Sequence, residues 1–430
     1  MQYEYRPFGE LLSCPSKNGL TRPKKVRGSG LPMVNMGELF ANPRIFDIDM
    51  DLVPVSDKEM EFLLKPGDLL FARQSLVRDG AGQCSIFLGN KQPTVFESHL
   101  IRCRLNPDEA VPEFYFYYFR SPDGRRVMDA IVEQGAGAAG IRGSDLIRLS
   151  VPVPSLAYQR EVADLFRLID NRIDVLRQTN ATLESIAQAL FKSWFIDFDP
   201  VRAKAEGREP EGMEAETAAL FPDSFEDSAL GEIPNGWAAK KVGEVFSLIM
   251  GQSPPGDTYN AVGDGVPFYQ GRTDFGFRFP TERIYCTAPT RFASAGATLV
   301  SVRAPVGDVN VSIDRCAIGR GLAAVEFTSA PAFALYTMKA LRNRFSEFEA
   351  HGTVFGSINK KQFESLPCIL PSTEVLLTFS GFAGVIDEKI RVNERYLRTL
   401  TELRDTVLPR LISGKLRLPE AEAQLNEALA

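Results

Sequence analysis

The feature that most constrains this chain is that much of it occurs twice. Shifted by 217 places, residues 151–154 (VPVP) fall on 368–371 (CILP), Asp170 on Asp387, Ile173 on Ile390 and Leu183 on Leu400, and no gap is needed from Gly135 to Trp194. Within that register a stripe of residues steps alternately by four and three, which keeps one line of a helix against a single partner. In the first copy the stripe is Ile169, Ile173, Leu176, Asn180, Leu183, Ala187, Leu190 and Trp194. In the second it is Ile386, Ile390, Asn393, Leu397, Leu400, Arg404, Val407 and Leu411. An ordinary core helix carries a broader apolar face. So narrow a stripe, kept over about 40 residues, favours two helices whose seams bury each other. Asn180, Asn393 and Arg404 interrupt the seams, and polar residues there fix register at some cost in stability.

With 430 residues, 44 % of them hydrophobic, the chain is long enough for two or three packed domains. The repeat divides it into a first recognition domain at 1–154, a central spacer helix at 155–198, a linker at 199–234, a second domain at 235–371, a C-terminal spacer helix at 372–415 and an acidic tail at 416–430. The expected fold class is α+β, a tandem duplication of one mixed α/β domain plus a long helix, with the two helices pairing as an antiparallel coiled coil. In the domains, FGELLS matches VGEVFS, GLPMVN matches GVPFYQ, and GDLLFAR matches GATLVSVR. The glycine-rich loop QGAGAAGIRGSD matches HGTVFGSINKKQ, and the turn-rich, Glu- and Pro-rich 199–234 reads as a surface connection.

Several function classes are excluded by composition. No apolar run reaches the roughly 18 residues that span a bilayer, and the N-terminus lacks the basic start and apolar core of a signal peptide, so a cytoplasmic protein with no membrane partner is expected. The six cysteines are scattered, with no CxxC pair, and read as small buried residues, not as a metal site. Only His99 and His351 exist, too few for a His-based triad or a His-rich metal centre. The net charge of −6 argues against DNA until its distribution is seen. Residues 155–234 hold 8 basic against 16 acidic side chains, whereas 235–371 hold 14 against 11, so the two domains remain compatible with a DNA groove.

Ser253-Pro254-Pro255-Gly256 approaches the turn with which DNA amino-methyltransferases hold a target amine, but Gly256 stands where an aromatic would stack on the base, and a plain turn is expected. The glycine-rich loop lacks the Lys-Ser/Thr ending of an NTPase phosphate loop. Its recurrence in the second copy brings Asn359, Lys360, Lys361 and Gln362, donors suited to phosphates and base edges. Arg73 and Arg303 end matching strands. Each has the fork for a guanine or a phosphate, or for a local carboxylate such as Asp68, and the same alternatives apply to Asn35, Arg142, Gln270 and Arg272.

LFKSWFIDFDPVRAKAEG at 190–207, LGEIPNGWAAKKVGEVF at 230–246 and VLPRLISGKLRLP at 407–419 together resemble the specificity subunit of type I restriction-modification systems, and the resemblance covers essentially the whole chain. It implies two target-recognition domains that each read half of an interrupted double-stranded DNA sequence, with no catalytic centre and no cofactor on this chain. It also implies two docked copies of an adenine methyltransferase subunit that bind S-adenosylmethionine, with restriction and translocase subunits that use ATP and Mg²⁺. The first copy departs from the pattern by lacking the Ile-Pro-x-Gly-Trp phrase of Ile233 to Trp237. About 40 helical residues at roughly 1.5 Å each make a rod of about 60 Å, the length of some 18 base pairs. A self-sufficient adenine methyltransferase and a coiled-coil scaffold with no DNA role are the rival readings. Cofactor titration separates the first and DNA protection the second.

Overall fold

The computed structural model describes residues 3–135, 137–350 and 356–429. They form two compact units, Met1–Arg177 with Arg395–Ala430, and Gln178–Glu394.

In the first unit a five-stranded sheet is built around Leu69–Ala72, which is buried throughout. It pairs antiparallel with Leu100–Cys103 on one side and Cys84–Gly89 on the other, and Arg44–Phe46 runs parallel to Cys84–Gly89 at the edge. A smaller sheet centres on Leu31–Val34, parallel to Val95–Phe96 and antiparallel to Leu52–Val53. The helix Pro112–Arg120 starts on proline, whose missing N–H is no loss there, and buries every residue from Phe114 to Phe119. Phe119 meets Phe8 and Phe71 edge-on, with ring centroids 4.9 and 5.0 Å apart.

The second unit repeats this plan. Thr298–Ser301 pairs antiparallel with Leu322–Glu326 and Val309–Val311, and Val266–Tyr269 runs parallel to Cys316–Ile318. Phe268 and Tyr269 face Ala317 and Ile318 as Met33 and Val34 face Val95 and Phe96. The opening strands also correspond. Glu4–Pro7 pairs antiparallel with Ser150–Val153, and Ala238–Lys241 with Pro367–Leu370, in the same register. The first domain therefore keeps its opening strand without the Ile-Pro-x-Gly-Trp phrase.

The central helix is Leu156–Phe195 and the distal helix Thr373–Ile412, 40 residues each. Within the first unit the Tyr158 hydroxyl donates to Leu411 O and Arg404 to Asp170, so positions rise along one helix as they fall along the other and the pair is antiparallel. The seams do more than bury each other. Ile169, Ile173, Leu176, Leu400, Val407 and Leu411 belong to one core with the first domain's aromatic helix. Trp194 and Ala187 join the second domain's core, Ile390 is buried, and Leu183, Leu190, Ile386 and Leu397 are half-buried. No helix is long and apolar enough to cross a membrane among the described residues.

Residues 199–234 differ from a plain surface connection. They carry helices at Asp199–Ala205 and Ala215–Ala219 and a hairpin of Phe225–Ser228 with Gly231–Pro234. Val201 and Phe221 are buried against the central helix's end, so isolated apolar residues in an acidic stretch anchor it. The tail forms the helix Leu418–Leu429, with Ala421 buried in the first unit.

The Asn393 amide donates to Asn180 Oδ1 at 2.8 Å, and the Asn180 amide to Glu394 Oε1 at 2.7 Å. Asn180→Leu, which strands the Asn393 amide, is expected to cost about 1–3 kcal/mol. The double change to leucine should recover most of that while loosening register. A double-mutant cycle in urea checks both, and additive single effects would contradict the pairing.

Candidate nucleic-acid interface

In the first unit the glycine-rich loop is folded against the end of the central strand. Glu133–Gln134 pairs with Ala139–Gly140, which pairs with Gln74–Ser75. Ile141 N donates to Arg73 O at 2.9 Å. A Cβ on Gly140 would lie 3.0 Å from that same oxygen, so glycine permits the approach. Arg73 and Arg142 line one concavity of about 430 Å³ with Asn18, Gln74, Glu133 and Gln134. The Arg73 side chain has no hydrogen-bond or ion-pair partner among the described residues. Asp68 is engaged elsewhere, since Arg104 forks onto it through Nε and Nη2 at 2.6 Å each. Arg142 is 68 % exposed and pairs with Glu133 at 2.7 Å.

In the second unit Val302 takes the place of Arg73, and Arg303 stands one position further on, where the first unit has Gln74. Arg303 bridges to Ser357, Ala304 N donates to Gly356 O at 3.0 Å, and Ile358 N to Val302 O at 3.1 Å. Its side chain is exposed and without a partner among the described residues, as is that of Lys361. Lys360 pairs with Glu364 at 3.5 Å. The loop residues 351–355, His351 included, lie outside the described residues.

Some other candidates are held by their own backbone. Asn359 Oδ1 accepts from Gln362 N and Gln362 Oε1 accepts from Asn359 N, both at 3.0 Å, a reciprocal cap on the helix Lys360–Glu364. Asn35 donates to Met33 O at 3.1 Å, while its backbone N–H is taken by Glu38 at 2.9 Å. Its Oδ1 is buried and has no partner among the described residues. Gln270, in the matching position, is exposed. Arg272 lies apart, in a second concavity of about 560 Å³ with Gln188, Lys339 and Arg342. Asp308 holds Arg272 there and also pairs with Arg342 at 3.3 Å. Ser253 to Pro255 have no regular structure and Gly256 opens the short 3-10 helix Gly256–Thr258, with Pro254 O accepting from the Tyr259 hydroxyl at 2.7 Å.

The positions that join each domain to the long helices escaped the reading of motifs. In the first unit the Tyr117 hydroxyl donates to Asp170 Oδ2 at 2.8 Å, and Arg404 donates to Asp170 Oδ1 at 3.1 Å. Arg44 reaches Asn171 at 2.5 Å and Asp174 at 3.2 Å. In the second unit the Tyr336 hydroxyl meets Asp387 Oδ1 at 3.4 Å, and Arg278 and Lys339 converge on Glu184. Burial pushes both tyrosine hydroxyls well above their usual range, so they act as donors at any physiological pH. The register that lays Asp170 on Asp387 was the available signal, a carboxylate kept beside an apolar seam. Burial also pushes up the thiols of Cys84, Cys103, Cys316 and Cys368, leaving them protonated. No cluster of three His, Cys, Asp or Glu side chains suited to a metal occurs among the described residues.

Two α/β domains of one plan, each joined to a long helix and each carrying, where its central strand meets the glycine-rich loop, an arginine side chain with no partner among the described residues, make a duplicated scaffold. The family model described as the type I restriction modification DNA specificity domain matches residues 5–185. The MjaX type I restriction enzyme specificity subunit of Methanocaldococcus jannaschii is 27 % identical over 424 residues, 97 % of this chain and 94 % of that one. The HindI specificity subunit of Haemophilus influenzae is 26 % identical, covering 89 % of this chain and 94 % of that one. The crystal structure of the type I S subunit from M. genitalium shares the fold with a TM-score of 0.62 at 16 % identity, over 96 % of each chain. The chain is thus similar, over nearly its whole length, to specificity subunits of type I restriction enzymes.

Proposed function

We propose that this chain reads a bipartite, interrupted DNA target, one half-site per recognition domain, and docks two copies of the methyltransferase subunit. Through them it directs adenine N6 methylation or, with restriction and translocase subunits, cleavage. In this reading S-adenosylmethionine, ATP and Mg²⁺ belong to the partners, this chain holds no cofactor, and the complex works in the cytoplasm. The observation that carries the reading is the repetition of one plan, in which each central strand runs into the glycine-rich loop beside an arginine, Arg73 or Arg303, whose side chain has no partner among the described residues. Phosphate contacts would position each domain and a few polar side chains would read base edges.

Support for two identical partners comes from the helices. Leu168 is 66 % exposed, and Val385, 217 places on, is 73 % exposed. Phe382, 51 % exposed, corresponds to half-buried Leu165. An apolar patch repeated at equivalent positions suits one partner surface used twice.

The test is mapping of N6-methyladenine in cells that carry the complex. Inserting one helical turn into 173–187, with a matching turn opposite in the distal helix, is expected to change the permitted spacer while leaving both half-sites as they were. An unchanged spacer would contradict the proposal that the helix pair sets it.

A further inference from the structure

We propose that Arg278 is a positioning residue that fixes the second recognition domain on both long helices and thereby sets how strictly the target's spacer length is read. The inference rests on the bipartite reading above.

Arg278 is only 2 % exposed. Its backbone belongs to the recognition domain, where Arg278 O accepts from Val311 N at 2.9 Å on a strand of the sheet. Its guanidinium leaves that domain in one direction only. Nη1 donates to Asp387 Oδ1 at 2.6 Å on the distal helix, while Nη2 reaches Glu184 on the central helix and the Tyr336 hydroxyl at 3.0 Å. One planar group thus ties a sheet edge to both helices at once. Glu184 is steadied in turn by Lys339 and by the Gln188 amide at 2.6 Å. Rotating the domain on the helices would part a buried cation from two carboxylates, and fixed fork geometry makes that interaction directional.

Among the described residues of the first unit no arginine of the domain hydrogen-bonds to both helices; there Asp170 of the central helix accepts from Tyr117 of the domain and from Arg404 of the distal helix. Arg44, also on a sheet edge, hydrogen-bonds to the central helix through Asn171 and Asp174, and the Asp174 side chain is 49 % exposed. Orientation of the second domain is therefore the more tightly determined by one residue, and its loss should show as tolerance in spacing, with base reading unchanged.

The experiment maps N6-methyladenine in cells that express the full complex with wild-type chain, Arg278→Lys, Arg278→Met or Tyr336→Phe. The wild-type chain should methylate one spacer length. Arg278→Lys keeps the charge but loses the fork, and methylation of sites whose spacer is one base pair shorter or longer should rise at least about tenfold over wild type, with both half-site sequences unchanged. Arg278→Met should do the same, and Tyr336→Phe, which leaves no charge unpaired, should do so to a smaller extent. A merely structural role would lower total methylation without widening the spacer. Should Arg278→Met fail to accumulate, Arg278→Lys and Tyr336→Phe decide the matter. Variants that fold, assemble and keep wild-type spacer strictness, or that change a half-site, overturn the role of Arg278. A wild-type chain whose methylated sites show no two-part sequence overturns the bipartite reading instead.

Discussion

Trp194→Ala is expected to lower the free energy of unfolding by about 3–5 kcal/mol, the range for truncating a large buried aromatic. Trp194 is 3 % exposed, and its indole is shared by three parts of the second unit. It meets Phe379 of the distal helix at 6.1 Å, Phe195 of its own helix at 6.1 Å, and Phe221 of the 199–234 segment at 5.0 Å with planes at 85°. Because Phe221 loses its edge-on partner, the segment 199–234 should also become the first site of proteolytic cutting. Guanidinium denaturation followed by tryptophan-independent circular dichroism, with limited proteolysis in parallel, checks both. An unmoved midpoint would show that the cluster is not limiting for stability. Trp194→Phe, which keeps a ring, should cost less than half as much.

That segment also shows where the sequence stops being legible. The helix pair could be read because its evidence is local and periodic: Ile169, Ile173 and Leu176 announce a stripe, and the 217-place shift supplies the partner. Phe198, Val201, Phe221 and Trp237 are all buried, but they are spaced without period in an acidic stretch, so no pattern marks them as anchors. The opening strand Glu4–Pro7 was equally hidden, since its partner Ser150–Val153 lies some 145 residues away and pairing at that distance leaves no local trace.

The candidate site divides along the same line. Arg73 and Arg303 emerged because a repeat compares positions, but the strand pairing sets them one residue apart: Arg303 faces Ser357 as Gln74 faces Gly140, and Val302 takes the place of Arg73. Asn359 could not be sorted in that way: the amide that suits adenine is also a preferred helix cap, and here it caps. Arg278 had no motif at all. Its partners Glu184 and Asp387 are 94 and 109 residues away, and only the coincidence of Asp170 with Asp387 hinted that a carboxylate mattered there.

Glu184→Gln should have an effect as large, with a distinct dependence on pH. Burial would raise this carboxylate, but Arg278 and Lys339 outweigh it and hold Glu184 below the usual range. Asp387 goes the other way, raised by burial although Arg278 opposes the rise. Removing the charge at Glu184 leaves Lys339 without an anion and Arg278 with Asp387 alone, and a broken buried pair of this kind costs about 3–5 kcal/mol at neutral pH. Because the folded pKa of Glu184 is depressed, its contribution is fully present above the unfolded value of about 4.3 and is lost as pH falls through the folded one. Asp387, with a raised folded pKa, contributes with the opposite sign, its share being present below about 3.9 and lost as pH rises through the folded value. The gap between wild type and Glu184→Gln should therefore be widest near neutrality and narrow as pH falls below about 4.3, giving the variant the shallower acid limb. Denaturation midpoints across that range decide it, and a gap that stays constant would mean that Glu184 is not the group compensating the two cations. Adding Lys339→Met to Glu184→Gln should then restore part of the loss at neutral pH, since it replaces an unpaired buried charge with an apolar side chain of similar length.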